Sequence, residues 1–274
     1  MFTLNCKGTL LVLNKPVIMG IINVNDNSFY AGSRHLSAEQ ALQTAAQMLE
    51  DGAAMLDIGG QSTNPKSAPV SADEELKRII PSIEKIKSAF PESILSVDTY
   101  YAAVAKAAVD AGCSIVNDIS AGNLDNKMLE TVAALGVPFI AMHTKGTPQT
   151  MQQLAVYENI TREVVDYFIK KTDECNEAGI KDIIIDPGFG FAKTSEQSFE
   201  LLRNISVLQM LGKPLLTGVS RKSMIYKTLH TTPENALNGS TVLHTYALQK
   251  GVNIIRTHDV KVCRETIELL QYLS

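Results

Sequence analysis

Lys181-Asp-Ile-Ile-Ile-Asp186-Pro-Gly-Phe-Gly-Phe191-Ala-Lys193-Thr194-Ser-Glu-Gln197 is the stretch that decides the fold. It opens on an apolar, β-branched run over 183–186 that stops at a carboxylate, the pattern of a strand buried on both faces. It closes on Thr194 with Gln197 three residues on, a capping box in which the hydroxyl takes a first-turn amide and the Gln side chain reaches back. Strand, glycine-rich turn and helix start make one βα unit. The same order repeats along the chain, with strand candidates over 17–23, 55–58, 95–98, 115–118, 138–142, 183–186, 214–217 and 253–256. Helical spacing of apolar residues runs over 102–111, 159–178 and 236–250, and Ser71-Ala-Asp73-Glu74 and Ser37-Ala-Glu39-Gln40 offer two more capping boxes. Gly52, Gly112, Gly136, Gly179 and Gly251 stand where a helix wants a left-handed residue after its end. Eight strands, each followed by a helix, is the count of a closed (β/α)₈ TIM barrel, and 274 residues suit one. We read residues 1–274 as one such domain. Its first segment, 1–14, alternates like a hairpin around Lys7-Gly8 and is placed across the barrel's N-terminal end. An open doubly wound sheet is the alternative, but it needs a G-x-G-x-x-G turn, and none is present.

Composition narrows the function. Hydrophobic residues at 45% and charged residues at 20% describe a folded chain, not a disordered one. Lys+Arg 25 against Asp+Glu 29 gives a net charge of −4, which argues against a nucleic-acid partner. The apolar runs over 9–13 and 17–22 fall far short of the roughly 20 residues that span a bilayer. Cys6, Cys113, Cys175 and Cys263 contain no C-x-x-C pair, so reduced, buried thiols are expected. With no signal-peptide pattern at the start, the expected location is the cytoplasm.

The strand candidates share a second pattern. Each run ends on polar groups: Asn23, Asp57, Asp98, Asn117-Asp118, His143, Asp186, Ser220-Arg221-Lys222, then Arg256 and His258. In a (β/α)₈ barrel the C-terminal strand ends line one mouth, where the chemistry sits. A single such residue is readily a helix cap, but a full series calls for a polar ligand that satisfies buried acceptors. Asp98, Asn117 and Asp186 suit a flat heterocycle bearing ring N–H and amino groups. Lys222, Arg256 and His258 suit a phosphate-type anion. Two blander readings stay open: Arg256 pairing with Asp259 or another carboxylate, and 220–223 as a solvated loop. No G-x-S-x-G and no Cys beside a His points to a nucleophile.

Met19-Gly-Ile-Ile-Asn23, Asp57-Ile-Gly-Gly60, Ser96-Val-Asp98-Thr99, Asn117-Asp118-Ile119, Met142-His143 with Gly146-Thr-Pro148, Asp186-Pro-Gly-Phe-Gly-Phe191, Ser220-Arg-Lys222 and Arg256-Thr-His258-Asp259-Val260 together resemble the dihydropteroate synthases, in family order. The resemblance implies a (β/α)₈ barrel, usually a homodimer, and a target of sulfonamides. It implies a transferase that joins p-aminobenzoate to 6-hydroxymethyl-7,8-dihydropterin pyrophosphate with Mg²⁺ assisting and pyrophosphate released. Carried over by position, it makes Asp98, Lys222 and Arg256 catalytic. Asp98, Asn117 and Asp186 would hold the pterin edge, Lys222 its carbonyl side, and Met142 and Gly218 would lie beside the ring. Arg256 would stack over the ring and meet pyrophosphate with His258 and Thr63, Asn23 would touch the metal, and Ser220 and Phe191 would flank p-aminobenzoate.

Two loops depart from the family pattern. After Asn23 the expected Thr, Pro and Asp are replaced in Asn25-Asp26-Asn27-Ser28-Phe29, and Ser62-Thr63-Asn64-Pro65-Lys66 has Asn64 where the family has Arg. Lys66 is expected to supply part of the missing charge, without the guanidinium fork. The competing readings are a pterin-binding paralogue without transfer activity, a methyltetrahydrofolate–corrinoid methyltransferase, and a purely structural barrel.

Overall fold

The structure, a computed structural model, describes residues 1–24, 38–61 and 70–273. The opening segment is the expected hairpin: β1 (Phe2–Cys6) pairs antiparallel with β2 (Thr9–Leu13), Phe2 opposite Leu13 and Cys6 opposite Thr9. Lys7 at φ 55° and Gly8 at φ 95° make the two-residue turn whose positive dihedrals match the twist of the strands.

Eight parallel strands follow: β3 (Val17–Asn23), β4 (Met55–Gly59), β5 (Leu95–Asp98), β6 (Ile115–Asp118), β7 (Phe139–Met142), β8 (Ile183–Asp186), β9 (Leu216–Thr217) and β10 (Ile254–Thr257). Their order is β8-β7-β6-β5-β4-β3-β10-β9, and a bridge from Ile185 to Leu215 brings the two ends together into a nearly closed barrel. Expected strands 138–142 and 214–217 begin later than read, because Pro138 and Pro214 have no N–H to give a ladder. Pro214 still contributes its carbonyl, which takes the Ile185 N–H at 2.9 Å.

The helices are α1 (Ala38–Glu50), α2 (Ala72–Ala89), α3 (Ala102–Asp110), α4 (Met128–Leu135), α5 (Ile160–Ala178), α6 (Ser195–Arg203), α7 (Ser223–Thr228), α8 (Leu237–Gln249) and α9 (Val260–Leu270). Thr194 and Gln197 form the reciprocal capping box, and Asn159 caps α5 through the Arg162 N–H. At α2 only half of the box forms. Ser71 accepts from the Glu74 N–H, while the Glu74 carboxylate turns to Arg78 instead. The box expected at Ser37 lies outside the described residues. All five glycines expected after helices adopt positive φ.

Alternation along the strands sorts two cores. Outward residues such as Ile22, Leu56, Val97, Phe139 and Ile185 pack against the helices. Inward residues Met19, Met55, Ile115, Ile140, Ile184, Leu216 and Ile254 form a separate layer with Leu4, Cys6 and Leu13 of the hairpin. The hairpin is therefore the floor of the barrel, as expected. Burying side chains such as Leu4 and Leu13 there contributes about 1.5–3 kcal/mol each. The Asn5 N–H donating to Asp182 at 2.7 Å and Lys7 Nζ donating to the Val109 carbonyl at 2.8 Å tie it in place.

All four cysteines are free and buried. Burial pushes the Cys6 and Cys263 thiols up to about 12 and Cys175 to about 11, so they are inert. Among the described residues no helix is long and apolar enough to cross a membrane.

Candidate active site

Above the apolar floor the inward positions turn polar, as a period of two requires. Asp57 follows Met55, Asn117 follows Ile115, Asp186 follows Ile184, and Arg256 follows Ile254. The register carries the pattern round the rim: Asn23 lies opposite Gly59, Gly59 opposite Asp98, Asp98 opposite Asn117, and Met142 opposite Asp186. The polar strand ends thus share one mouth.

At its centre is a charged network. Asp57 is fully buried, and its Oδ2 accepts from Arg256 Nε at 2.6 Å and from Asn117 Nδ2 at 2.9 Å. Arg256 Nη2 donates to Asp98 Oδ2 at 2.6 Å. Asp57 Oδ1 is buried and has no hydrogen-bond partner. Arg256 therefore pairs with two carboxylates inside the mouth, not with Asp259. Asp259 holds Arg221 in a two-pronged pair at 2.9 Å, and Arg221 also donates to the Pro233 and Glu234 carbonyls. The Ser220-Arg221-Lys222 triplet is thus split: Arg221 braces the surface while Lys222 reaches the interior.

Across the mouth, Asp186 Oδ1 accepts the Gly188 N–H at 2.8 Å, and Lys222 Nζ donates to the Phe189 carbonyl at 2.6 Å and lies 4.7 Å from the centre of the Phe191 ring. Gly188 sits at φ 68°, and a Cβ there would lie 2.1 Å from the His143 carbonyl oxygen, so only glycine fits. Ser220 Oγ and His258 Nδ1 are 3.2 Å apart at the rim, where Ser220 Oγ also accepts from the Thr257 hydroxyl and the His258 N–H.

Crowding these charges moves their proton affinities. Burial drives Asp98 up to about 7; Arg256 opposes this, while Asp57, Asp118 and Asp186 add to it. Burial also raises Asp186, against the pull of Lys222 and the Gly188 N–H. Lys222 is lowered to about 8 by burial, with Asp186 holding it up and Arg256 pressing it down. Burial disfavours the Arg256 charge, but Asp57 and Asp98 outweigh it and hold the guanidinium firmly protonated.

Two expected polar ends face elsewhere, because each directly follows an inward residue. Asp118, next to Asn117, accepts from the Ser120 N–H and hydroxyl and the Gly122 N–H and so builds a turn. His143, next to Met142, meets the Tyr167 ring edge-on with centroids 4.7 Å apart. Burial and Lys193 hold it neutral, its affinity pushed down to about 2. Thr63, Asn64, Lys66 and the 25–29 departures lie outside the described residues.

Sequence reasoning missed two residues. Asp57 is a polar strand end to which the sequence reading gives no role, although its place two residues past Met55 marks it as inward. Lys193 is buried, and its Nζ lies 2.8 Å from His143 Nδ1 and donates to the Gly188, Phe191 and His143 carbonyls at 3.0–3.2 Å. It fixes the loop that carries Asp186 and Phe189. Nothing in its spacing distinguishes it from a surface lysine.

Residues 19–258 match the family described as pterin binding enzyme. The chain is 40% identical over 270 residues to the dihydropteroate synthase of Escherichia coli strain K12, covering 98% of this chain and 94% of that protein. The solved Yersinia pestis dihydropteroate synthase with a sulfonamide drug complex superposes with a TM-score of 0.95 at 38% identity, covering 99% of each chain. That of Xanthomonas albilineans with 4-aminobenzoic acid gives 0.91 at 36%, covering 99% of this chain and 97% of the other.

Proposed function

The chain belongs to the pterin binding enzymes, and from that premise we infer that it works as a dihydropteroate synthase, a transferase of folate synthesis. It joins 6-hydroxymethyl-7,8-dihydropterin pyrophosphate to p-aminobenzoate and releases pyrophosphate. The observation that carries this reading is the single mouth in which Asp98, Asn117 and Asp186 offer acceptors while Lys222 and Arg256 offer cations. Asp98, Asn117 and Asp186 receive the ring N–H and amino groups of the pterin, and Lys222 donates to its carbonyl side. Met142 packs against the ring. Gly218 leaves space beside Arg256, since a Cβ there would come no nearer to it than 3.8 Å.

Arg256 and His258, with Thr63, receive the diphosphate. As the methylene–oxygen bond breaks, positive charge spreads into the pterin. Asp98, matched to charge that exists only during the reaction, lowers that barrier. The amine of p-aminobenzoate, lodged by Ser220 and Phe191, then attacks the methylene, forming the C–N bond and giving up one N–H proton to solvent.

Asn23 stands half-buried at the end of β3 and offers a hard amide oxygen at the rim. Mg²⁺ takes one or two protein oxygens alongside substrate phosphates and water, so this donor fits it. Among the described residues no group of three or more acidic, His or Cys side chains could hold a metal. When bound, the ion would neutralise the departing diphosphate.

The homodimer, the cytoplasmic location and sulfonamide binding at the p-aminobenzoate subsite belong to the same reading; the Yersinia pestis relative supports the last. Asn64 favours one second reading, a paralogue that binds pterin without transfer. The deciding experiment is pyrophosphate release with and without p-aminobenzoate and Mg²⁺, run beside Asn64→Arg and Lys66→Ala. Release that depends on p-aminobenzoate is expected; pterin binding without release would establish the paralogue. An unchanged pterin-pyrophosphate KM in Lys66→Ala would remove Lys66 from the account.

A further inference from the structure

We propose that Asp57 is a positioning residue: it is the fixed anchor of Arg256 and Asn117, and when pterin takes Asp98 the split guanidinium fork closes onto Asp57. The proposal rests on the pterin reading above.

Arg256 spends the two N–H groups of one edge on different acids, Nε on Asp57 and Nη2 on Asp98, both at 2.6 Å. These acids are not equivalent. The Asp57 side chain is fully buried, whereas that of Asp98 is 15% exposed. A ring N–H entering the mouth reaches Asp98 and competes with Nη2 for the same carboxylate. Giving up the Asp57 contact instead would strand two buried opposite charges.

The released Nη2 has a ready acceptor. Asp57 Oδ1 is buried and unpartnered, on the carboxylate that already holds Nε through Oδ2. The closed form needs Nε and Nη2 on the two oxygens of one acid, and the same protein contains that arrangement at Arg221 and Asp259, with both bonds at 2.9 Å. The guanidinium then keeps Nη1 for the diphosphate.

Asp57 also sets the polarity of Asn117. A carboxylate only accepts, so the amide must turn Nδ2 to Asp57, which leaves Asn117 Oδ1 as the acceptor for the ligand. One buried acid thus directs both a cation and an acceptor of the pocket.

The test is the isosteric Asp57→Asn, assayed by pyrophosphate release. With its anchor gone, Arg256 leans on Asp98, and the pterin-pyrophosphate KM should rise roughly tenfold while that of p-aminobenzoate stays within about twofold. Because Asp57, Asp118 and Asp186 raise the proton affinity of Asp98 and Arg256 lowers it, losing the Asp57 charge should also move the acid limb of kcat/KM to lower pH. Damaged folding alone would lower the profile without shifting it. A pterin KM within about twofold of wild type with an unmoved limb overturns the proposal.

A second measurement is made on the wild type, with a variant used only for assignment. In ¹⁵N-arginine-labelled wild type, with Arg256→Lys used to assign the signal, the Arg256 Nε–H should stay protected from exchange when 6-hydroxymethylpterin binds. Loss of that protection overturns the proposal. Because this probe lacks the diphosphate, the result stands whether or not the wild type releases pyrophosphate, so failure of the transferase reading is seen separately.

Discussion

Asp98→Asn separates binding from bond breaking at the mouth. Asn keeps an oxygen that accepts a pterin N–H, so the ground state loses only the charged share of one hydrogen bond. Charged hydrogen bonds contribute about 1.5–3 kcal/mol and neutral ones about 1, so pterin affinity should fall only about fivefold. The transition state loses more, because positive charge develops in the ring against a side chain only 15% exposed. Unit charges about 4 Å apart at an effective dielectric near 20 interact by about 4 kcal/mol, and removing one group of this kind costs roughly 10²–10³ in kcat.

The assay pairs pyrophosphate release at saturating p-aminobenzoate with calorimetric binding of 6-hydroxymethylpterin. Unfolding can be excluded by the sign of the linkage. A carboxyl raised to about 7 costs the folded protein stability as pH climbs from the ordinary carboxylate range through 7. Asn removes that cost while Arg256 keeps Asp57, so the variant should melt no lower than wild type at pH about 8. Equal factors lost from kcat and affinity would refute the electrostatic role.

Three further outcomes follow from the geometry. The pH profile of kcat/KM should rise through about 7 as Asp98 ionises and fall beyond about 8 as Lys222 loses its proton, with Lys222→Arg removing the alkaline limb. Gly188→Ala should lose well over the roughly 1–3 kcal/mol of backbone strain alone, since its Cβ meets the His143 carbonyl; Gly136→Ala, at φ 64° with nothing near, should lose only the strain, and urea denaturation of both checks this. Glu75 is buried, accepts from Gln61 Nε2 at 2.8 Å and is raised to about 7 by burial. Wild type should therefore lose stability relative to Glu75→Gln as pH rises from about 4.5 through 7, by on the order of 1–3 kcal/mol in paired thermal melts.

The barrel was legible because its signals are local and repeated. An apolar run ending on a polar group, a cap and a C-terminal glycine each act within a few residues, and together they placed every strand to within a residue or two. The inward polar positions were legible for the same reason: Asp57, Asn117, Asp186 and Arg256 all follow floor residues at a spacing of two. What escaped was pairing at long range. Which of two cations meets Asp259 depends on the path of the chain after β9, where Arg221 takes φ 52° and turns outward. Nor could a buried Nζ at Lys193 be read from a loop whose carbonyls converge only after folding.

Among the described residues, the floor packed beneath Met19 and Ile254 stops one end of this vessel. If the ring docks against Asn117 as proposed, it would enter before anything settled over it, and the joined product, longer than either half, would leave by the way it came. Opening the base would give the ring a rear exit, so an apolar hairpin packed at the end opposite the polar rim would set the direction of traffic.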